Sequence, residues 1–242
     1  MKRYIFATAL TALTIGFSAC DDGMIEENVV ITTEGKTVKM QGVLTGLSNW
    51  SSNFYVALAG FDAQGIYAVS SKQVIPTDNE QNEVTLVLTG VSDDVTNIQL
   101  CVLDRLRRHV MTFTQMDIPA GVRDTIYMDV GTVDVSMINA IQQGYFDTTC
   151  ANCHGASNRA AAGLYLTEGK SYEAMVGVAS KKVEDINLVE PGDALNSLLH
   201  RVLHEDVVDG IAMTHRDLVS EKNEQSILPL IDSWINNGAK EK

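Results

Sequence analysis

The stretch Cys150-Ala151-Asn152-Cys153-His154 decides how this chain is read, because the residues on its two sides obey different periodicities. Two thiols separated by two residues are spaced to add to the two vinyl groups of a haem. A histidine directly after the second thiol can bring a ring nitrogen under the iron. The pentapeptide therefore marks Cys150, Cys153 and His154 as candidate attachment and ligand residues for one covalent haem c. Two other readings stay open: a thioredoxin-like dithiol, which wants a strand before the first cysteine, and a zinc site that borrows a further histidine.

Upstream of the pentapeptide, apolar residues alternate. Val38, Met40 and Leu44 share a parity, as do Phe54, Val56 and Leu58, then Val84, Leu86 and Leu88, then Ile126, Met128 and Val130. A period of two over short runs predicts half-buried strands. Turn chemistry separates them at Asp62-Ala63-Gln64-Gly65, Pro76-Thr77-Asp78-Asn79 and Ser92-Asp93-Asp94. About seven strands between Lys36 and Val133 predict an N-terminal all-β antiparallel sandwich, immunoglobulin-like or transthyretin-like.

From Ser136 onward the period is helical. Ile138, Ile141 and Tyr145 recur at three and four and lead into Cys150, and Leu195, Leu198, Leu199 and Val202 share one side of a helix over Ala194 to Leu203. Glu221 to Asn237 puts Ile227, Leu228, Ile231, Trp234 and Ile235 on one stripe, with Ser220 as N-cap and Gly238 as stop. Pro229 falls inside that segment and predicts a kink or a later start.

The first residues read as an export signal. Met1-Lys2-Arg3 is a positive start, Tyr4 to Phe17 is an apolar run too short to span a bilayer comfortably, and Ser18-Ala19 are small. Cys20 follows at once, which resembles a bacterial lipoprotein signal and implies that Cys20 becomes the lipid-bearing first residue. The alternative is plain secretion with cleavage near Ala19. Residues 20–35 are polar and acidic and read as a tether. Removing residues 1–19 lowers Lys plus Arg from 18 to 16 against 31 acidic residues, a net charge of −15. So acidic a chain is a poor binder of nucleic acid and of anionic lipid surfaces, and a docking protein is expected to offer a basic patch. With Cys20, Cys150 and Cys153 assigned, Cys101 is left alone in the apolar run Ile98 to Leu103, as a buried inert thiol.

Several segments after the pentapeptide resemble, in order, those of class I-type cytochrome c domains appended to bacterial exported proteins. Gly155 follows the histidine, Gly163-Leu164-Tyr165-Leu166 resembles their Gly-Leu-x-Leu, Pro191-Gly192-Asp193 with Ser197 and Leu198 resembles Pro-Gly-Asp-x-x-x-Ser-x-Leu, and Ser233 to Ala239 resembles their closing Trp-Ile-x-x-Gly-Ala. The resemblance covers residues 137 to 242, under half of the chain. It implies a multidomain fold class, the sandwich over 36–135 followed by an all-α cytochrome c domain over 136–242. It also implies a second axial ligand, usually Met, at the place of Met213, with Thr214 standing where the family has proline. His215 is the main rival as distal ligand, and His200 and His204 are weaker candidates that more simply form a solvated helix face. The Pro191 carbonyl is implied as the partner of the His154 ring N–H.

These readings converge on a lipid-anchored monohaem carrier that passes electrons in the periplasm or at the cell surface. Two alternatives remain. One is a haem site that binds ligands, senses them or acts as a peroxidase. The other is a β-sandwich that docks a partner while the haem relays electrons, with Trp50, Tyr55 and the Arg105, Arg107, Arg108 cluster as its contact points. No nucleophile–base–acid constellation and no phosphate-cradling glycine loop stands out, so a non-enzymatic carrier is the expectation.

Overall fold

The computed structural model describes residues 35–76, 82–119, 121–122, 124–155 and 159–242. The signal, Cys20 and nearly all of the tether lie outside the described residues. These described residues form one compact unit.

Seven strands make two sheets: β1 (Lys36–Thr45), β2 (Phe54–Phe61), β3 (Ala68–Gln73), β4 (Glu83–Val91), β5 (Asn97–Asp104), β6 (His109–Asp117) and β7 (Thr125–Asp134). One sheet has the order β4-β1-β7 and the other β3-β2-β5-β6. The alternating residues face each other across the gap: Val38, Met40, Leu44, Val56, Leu58, Leu88, Ile98, Leu100, Ile126 and Met128 share one buried cluster. The reverse side of β2 and β5 is apolar as well. Ala57, Ala59, Phe61, Cys101 and Leu103 form a second cluster there, so these strands are covered on both faces.

After β7 come α1 (Met137–Ile141), a nine-residue π-helix (Gln142–Cys150), α2 (Ala151–His154), α3 (Ser171–Met175), α4 (Leu198–His204), α5 (Glu221–Gln225) and α6 (Ile227–Asn236). Ser136 starts the series: its extended backbone and its side chain, which accepts from Asn139 N–H at 3.4 Å, cap α1.

This architecture corrects the expected fold class on two counts. The sheets are not purely antiparallel, because β1 pairs with β7 in parallel, Val38 opposite Ile126 and Met40 opposite Met128. Nor do residues 136–242 form an all-α cytochrome c domain. Apart from the unbroken run of α1, π-helix and α2 over 137–154, no described helix exceeds ten residues, and residues 159–197 run mainly as turns and isolated bridges such as Val176↔Val189 and Asn187↔Ser197. The result is a mixed, sheet-rich fold. The local causes are visible. The predicted helix from Ala194 starts only at Leu198, because Asn196 N–H donates to Asp193 Oδ1 (3.2 Å) and Ser197 Oγ–H to Asp193 O (2.8 Å), which closes a turn first; Leu195 is left 73% exposed. The predicted Glu221–Asn237 helix breaks at Ser226, whose φ of −125° ends α5. Pro229 then lies in the first turn of α6, where its missing N–H costs no helical bond.

The second half packs on one end of the sandwich. Phe54, Val102, Val110 and Met111 share a cluster with Met137, Ile138, Ile141, Tyr145, Phe146, Leu228, Ile231 and Trp234. Trp50 touches both this cluster and the intersheet core, and its Nε1–H donates to Val135 O at 2.9 Å. Gly144 lets the π-helix approach the sheet: a Cβ there would lie 3.3 Å from Met111 Cβ and 3.2 Å from Ile227 Cδ1.

Candidate functional site

The π-helix ends on Cys150, and α2 carries Cys153 and His154 one turn further on. Residues three and four apart share a helix face, so the two thiols and the imidazole open toward one side. A π-helical segment widens the backbone and is enriched at functional sites; here Ala151 N–H reaches back to Phe146 O. The turn stops at Gly155, where any Cβ would lie 2.4 Å from Ala151 O. Glycine is required there because a side chain would collide with backbone.

That side is a cavity of about 590 Å³. Tyr145, Cys150, Cys153, His154, Leu164, Leu166, Met175, Leu199, Val202, Met213, His215 and Leu218 line it. The size and the mostly aliphatic wall are those of a cofactor cavity with few polar groups. Cys150 is partly enclosed, and burial, with a smaller contribution from Cys153, pushes its thiol up to about 12. Cys153 is exposed. As a redox dithiol the pair lacks the lowered first thiol and the preceding strand that such chemistry uses.

His154 is oriented by backbone. Its Nδ1–H donates to Ala161 O at 3.1 Å and Leu164 O at 3.3 Å, which leaves Nε2 as the acceptor nitrogen. The implied partner, Pro191, does not fill this role. Its segment instead makes the turn in which Gly192 N–H donates to Ile235 O at 2.8 Å, before α4. The two carbonyls come from Ala161, which opens the 3₁₀ turn Ala161–Gly163, and from the extended Leu164 just after it.

Met213 and His215 reach the cavity from one loop. Met213 is 48% exposed. Its carbonyl accepts the His215 Nδ1–H at 2.9 Å, and the loop is tied down by Thr214 Oγ1–H donating to Asp206 O at 3.1 Å. The His154 and His215 ring centres are 6.3 Å apart with planes 23° from parallel.

His200 and His204 are not in the wall of this cavity and pair instead with α6. Asp232 accepts from His200 Nδ1 at 2.8 Å and from His204 Nε2 at 3.2 Å, and the two rings lie 4.1 Å apart. These three side chains could hold a metal ion, but their mutual hydrogen bonds already satisfy the carboxylate and clamp α4 to α6. Burial holds His204 below the ordinary histidine value, against the pull of Asp232. A second cavity, of about 520 Å³, is polar, and among its lining groups Asn187 donates to Glu190, and Arg201 pairs with Glu205 beside it.

Cys101, Tyr55, Arg105 and Arg108 have structural roles. Cys101 is fully buried in β5, and burial raises its thiol far above the ordinary range. Tyr55 is raised by burial and hydrogen-bonds Ser71. Arg105 Nε–H donates to Ser52 O at 2.9 Å, and Arg108 donates to Gln225 Oε1 at 3.0 Å while covering the Tyr67 ring. Among the described residues no helix is long and apolar enough to cross a membrane.

Comparison with known proteins adds little. No protein-family model and no curated protein matches the chain. Among solved structures, a 9R-lipoxygenase from Cyanothece PCC8801 aligns over 53% of this chain and 18% of its own, at 10% identity and a TM-score of 0.22. A likeness at that level carries no argument about fold or function.

Proposed function

We propose that this chain carries one covalent haem c on Cys150 and Cys153, with His154 as an axial ligand, and serves as a non-enzymatic electron carrier. The observation that carries this reading is the cavity itself. An aliphatic space of about 590 Å³ has two thiols and one pre-oriented imidazole on a single helical turn of its wall. A zinc site from the same three residues would want a compact polar tetrahedron rather than a wide apolar wall.

The residues fit the group. The thiols stand three apart on one face, as two vinyl attachments demand. The Ala161 and Leu164 carbonyls hold the His154 ring in the tautomer with Nε2 free, and raise its basicity as a ligand. Leu164, Leu166, Leu199 and Val202 exclude water, and in c-type centres burial and axial ligands set the potential. A haem bound there supplies an iron that takes up and returns one electron.

The rest of the reading follows from the sequence. An export signal leads to a compartment where haem attachment occurs, Cys20 takes lipid, and residues 21–35 tether the body to a bacterial membrane. The excess of 31 acidic over 16 basic residues once residues 1–19 are removed suits a redox partner with a basic docking face. The test is expression of the full chain in a host with a c-type maturation system. A denaturing gel should keep haem stain on the band, and intact mass should rise by one haem. Cys150→Ser with Cys153→Ser should lose both signals. A wild-type chain that emerges with both thiols alkylatable, or with stoichiometric zinc and no stain, defeats the proposal.

A further inference from the structure

The geometry points to His215, rather than Met213, as the second axial ligand opposite His154; this inference rests on the haem reading above. Three observations carry it.

The first is the spacing of the rings. A metal–imidazole bond of about 2.0 Å plus roughly 1.1 Å from ring centre to nitrogen, taken on both sides of one iron, sets trans imidazole centres about 6 Å apart. The His154 and His215 centres are 6.3 Å apart. Two rings in direct contact would lie much closer, as the 4.1 Å of His200 and His204 shows within this same chain.

The second is the matching polarity of the two rings. His154 gives its Nδ1–H to the Ala161 and Leu164 carbonyls, and His215 gives its Nδ1–H to the Met213 carbonyl. Each ring is thereby held in the tautomer that leaves Nε2 as a lone-pair donor, and both rings line the same cavity.

The third is the different footing of the two rivals. His215 begins a 3₁₀ turn, Arg216–Leu218, in which Leu218 N–H donates to His215 O at 2.9 Å. The next residue, Arg216, is tied to Glu224 at 2.6 Å. Met213 is 48% exposed, and it is its backbone that the site uses, as the acceptor that orients His215. The Met213 side chain holds nothing in place; only its backbone carbonyl does, and that is the same in any residue.

The exchange matters for function. A thioether favours ferrous iron and raises the potential, so a bis-histidine centre makes this a lower-potential carrier than the His/Met pair implies.

The experiment uses the matured full-length protein, with haem stain and intact mass recorded first on the same sample. With haem present, the ferric wild type should be low-spin without the sulfur-to-iron charge-transfer band. Met213→Leu should leave that spectrum unchanged. His215→Ala should lose the low-spin signature, and added imidazole should restore it; circular dichroism checks that the variant stays folded. A sulfur band in the wild type that disappears in Met213→Leu, or an unaltered low-spin spectrum in His215→Ala, overturns the assignment while the haem reading stands. Absence of covalent haem in the wild type overturns both.

Discussion

His109 should make this protein lose stability as the pH falls from about 6.5 to about 4. The imidazole sits at the start of β6, edge-on to the Phe61 ring at 5.3 Å. Its Nε2–H donates to Thr112 Oγ1 at 2.8 Å, and that hydroxyl donates on to Gln99 Oε1 at 2.5 Å. Burial, helped by the Lys222 charge, lowers the ring to about 4. An unfolded histidine titrates near 6.5. Between the two values the unfolded chain binds a proton that the folded chain refuses, so stability rises with pH across that window and is fully present above it. At 1.36 kcal/mol per unit, the difference is worth about 3 kcal/mol. His109→Gln keeps an N–H donor for Thr112 and cannot titrate. Urea unfolding of both proteins at about pH 7.5 and about pH 4.5 isolates the effect, since the carboxylate background is common to both. The wild type should lose about 2–3 kcal/mol more than the variant over that interval. Parallel pH profiles for the two proteins would show that the ring charges without penalty, and that the burial argument is wrong.

Further perturbations separate the supports of the fold. Trp234, 1% exposed and bonded through Nε1–H to Lys240 O at 2.9 Å, anchors α6; Trp234→Ala should cost about 3–5 kcal/mol in urea unfolding. Gly155→Ala drives a Cβ against Ala151 O, and should cost roughly 2 kcal/mol and lower the yield of haem attachment, read by stain per milligram. Asp232→Asn removes the charged acceptor that joins His200 and His204, and should cost about 1–2 kcal/mol by thermal unfolding. In haem-free protein near pH 8, alkylation followed by mass spectrometry should mark exposed Cys153 first, Cys150 slowly, and Cys101 only after denaturant is added.

The parts of this molecule that a sequence reveals are those governed by neighbours along the chain. Val38, Met40 and Leu44 alternate because one face of β1 is sealed, and all three are fully buried. The thiols and His154 are grouped by a single helical turn, so their spacing alone brings them together. What the sequence hid depends on distant partners. The parallel pairing of β1 with β7 joins residues some ninety positions apart, and alternation is the same for either strand direction. Helical periodicity after Ser136 was real in stretches, but periodicity does not count turns: the Asp193 side-chain turn and the break at Ser226 shorten what the pattern extends. The ring spacing of His154 and His215 depends on a loop that no local rule predicts.

The seating of the second half on the sandwich end has a consequence for inheritance. Ser233 hydrogen-bonds Ser51 at 2.6 Å, Asn237 donates to Asn49 O at 2.8 Å, and Trp50 reaches Val135. The turn between β1 and β2 is thus the floor on which α6 stands, and α6 packs in one buried cluster with Tyr145, Leu166 and Met175 of the cavity wall. The cysteine-bearing half is not a portable cassette that could be cut at residue 135 and grafted elsewhere. A change in the β1–β2 turn therefore reaches the cavity wall through α6.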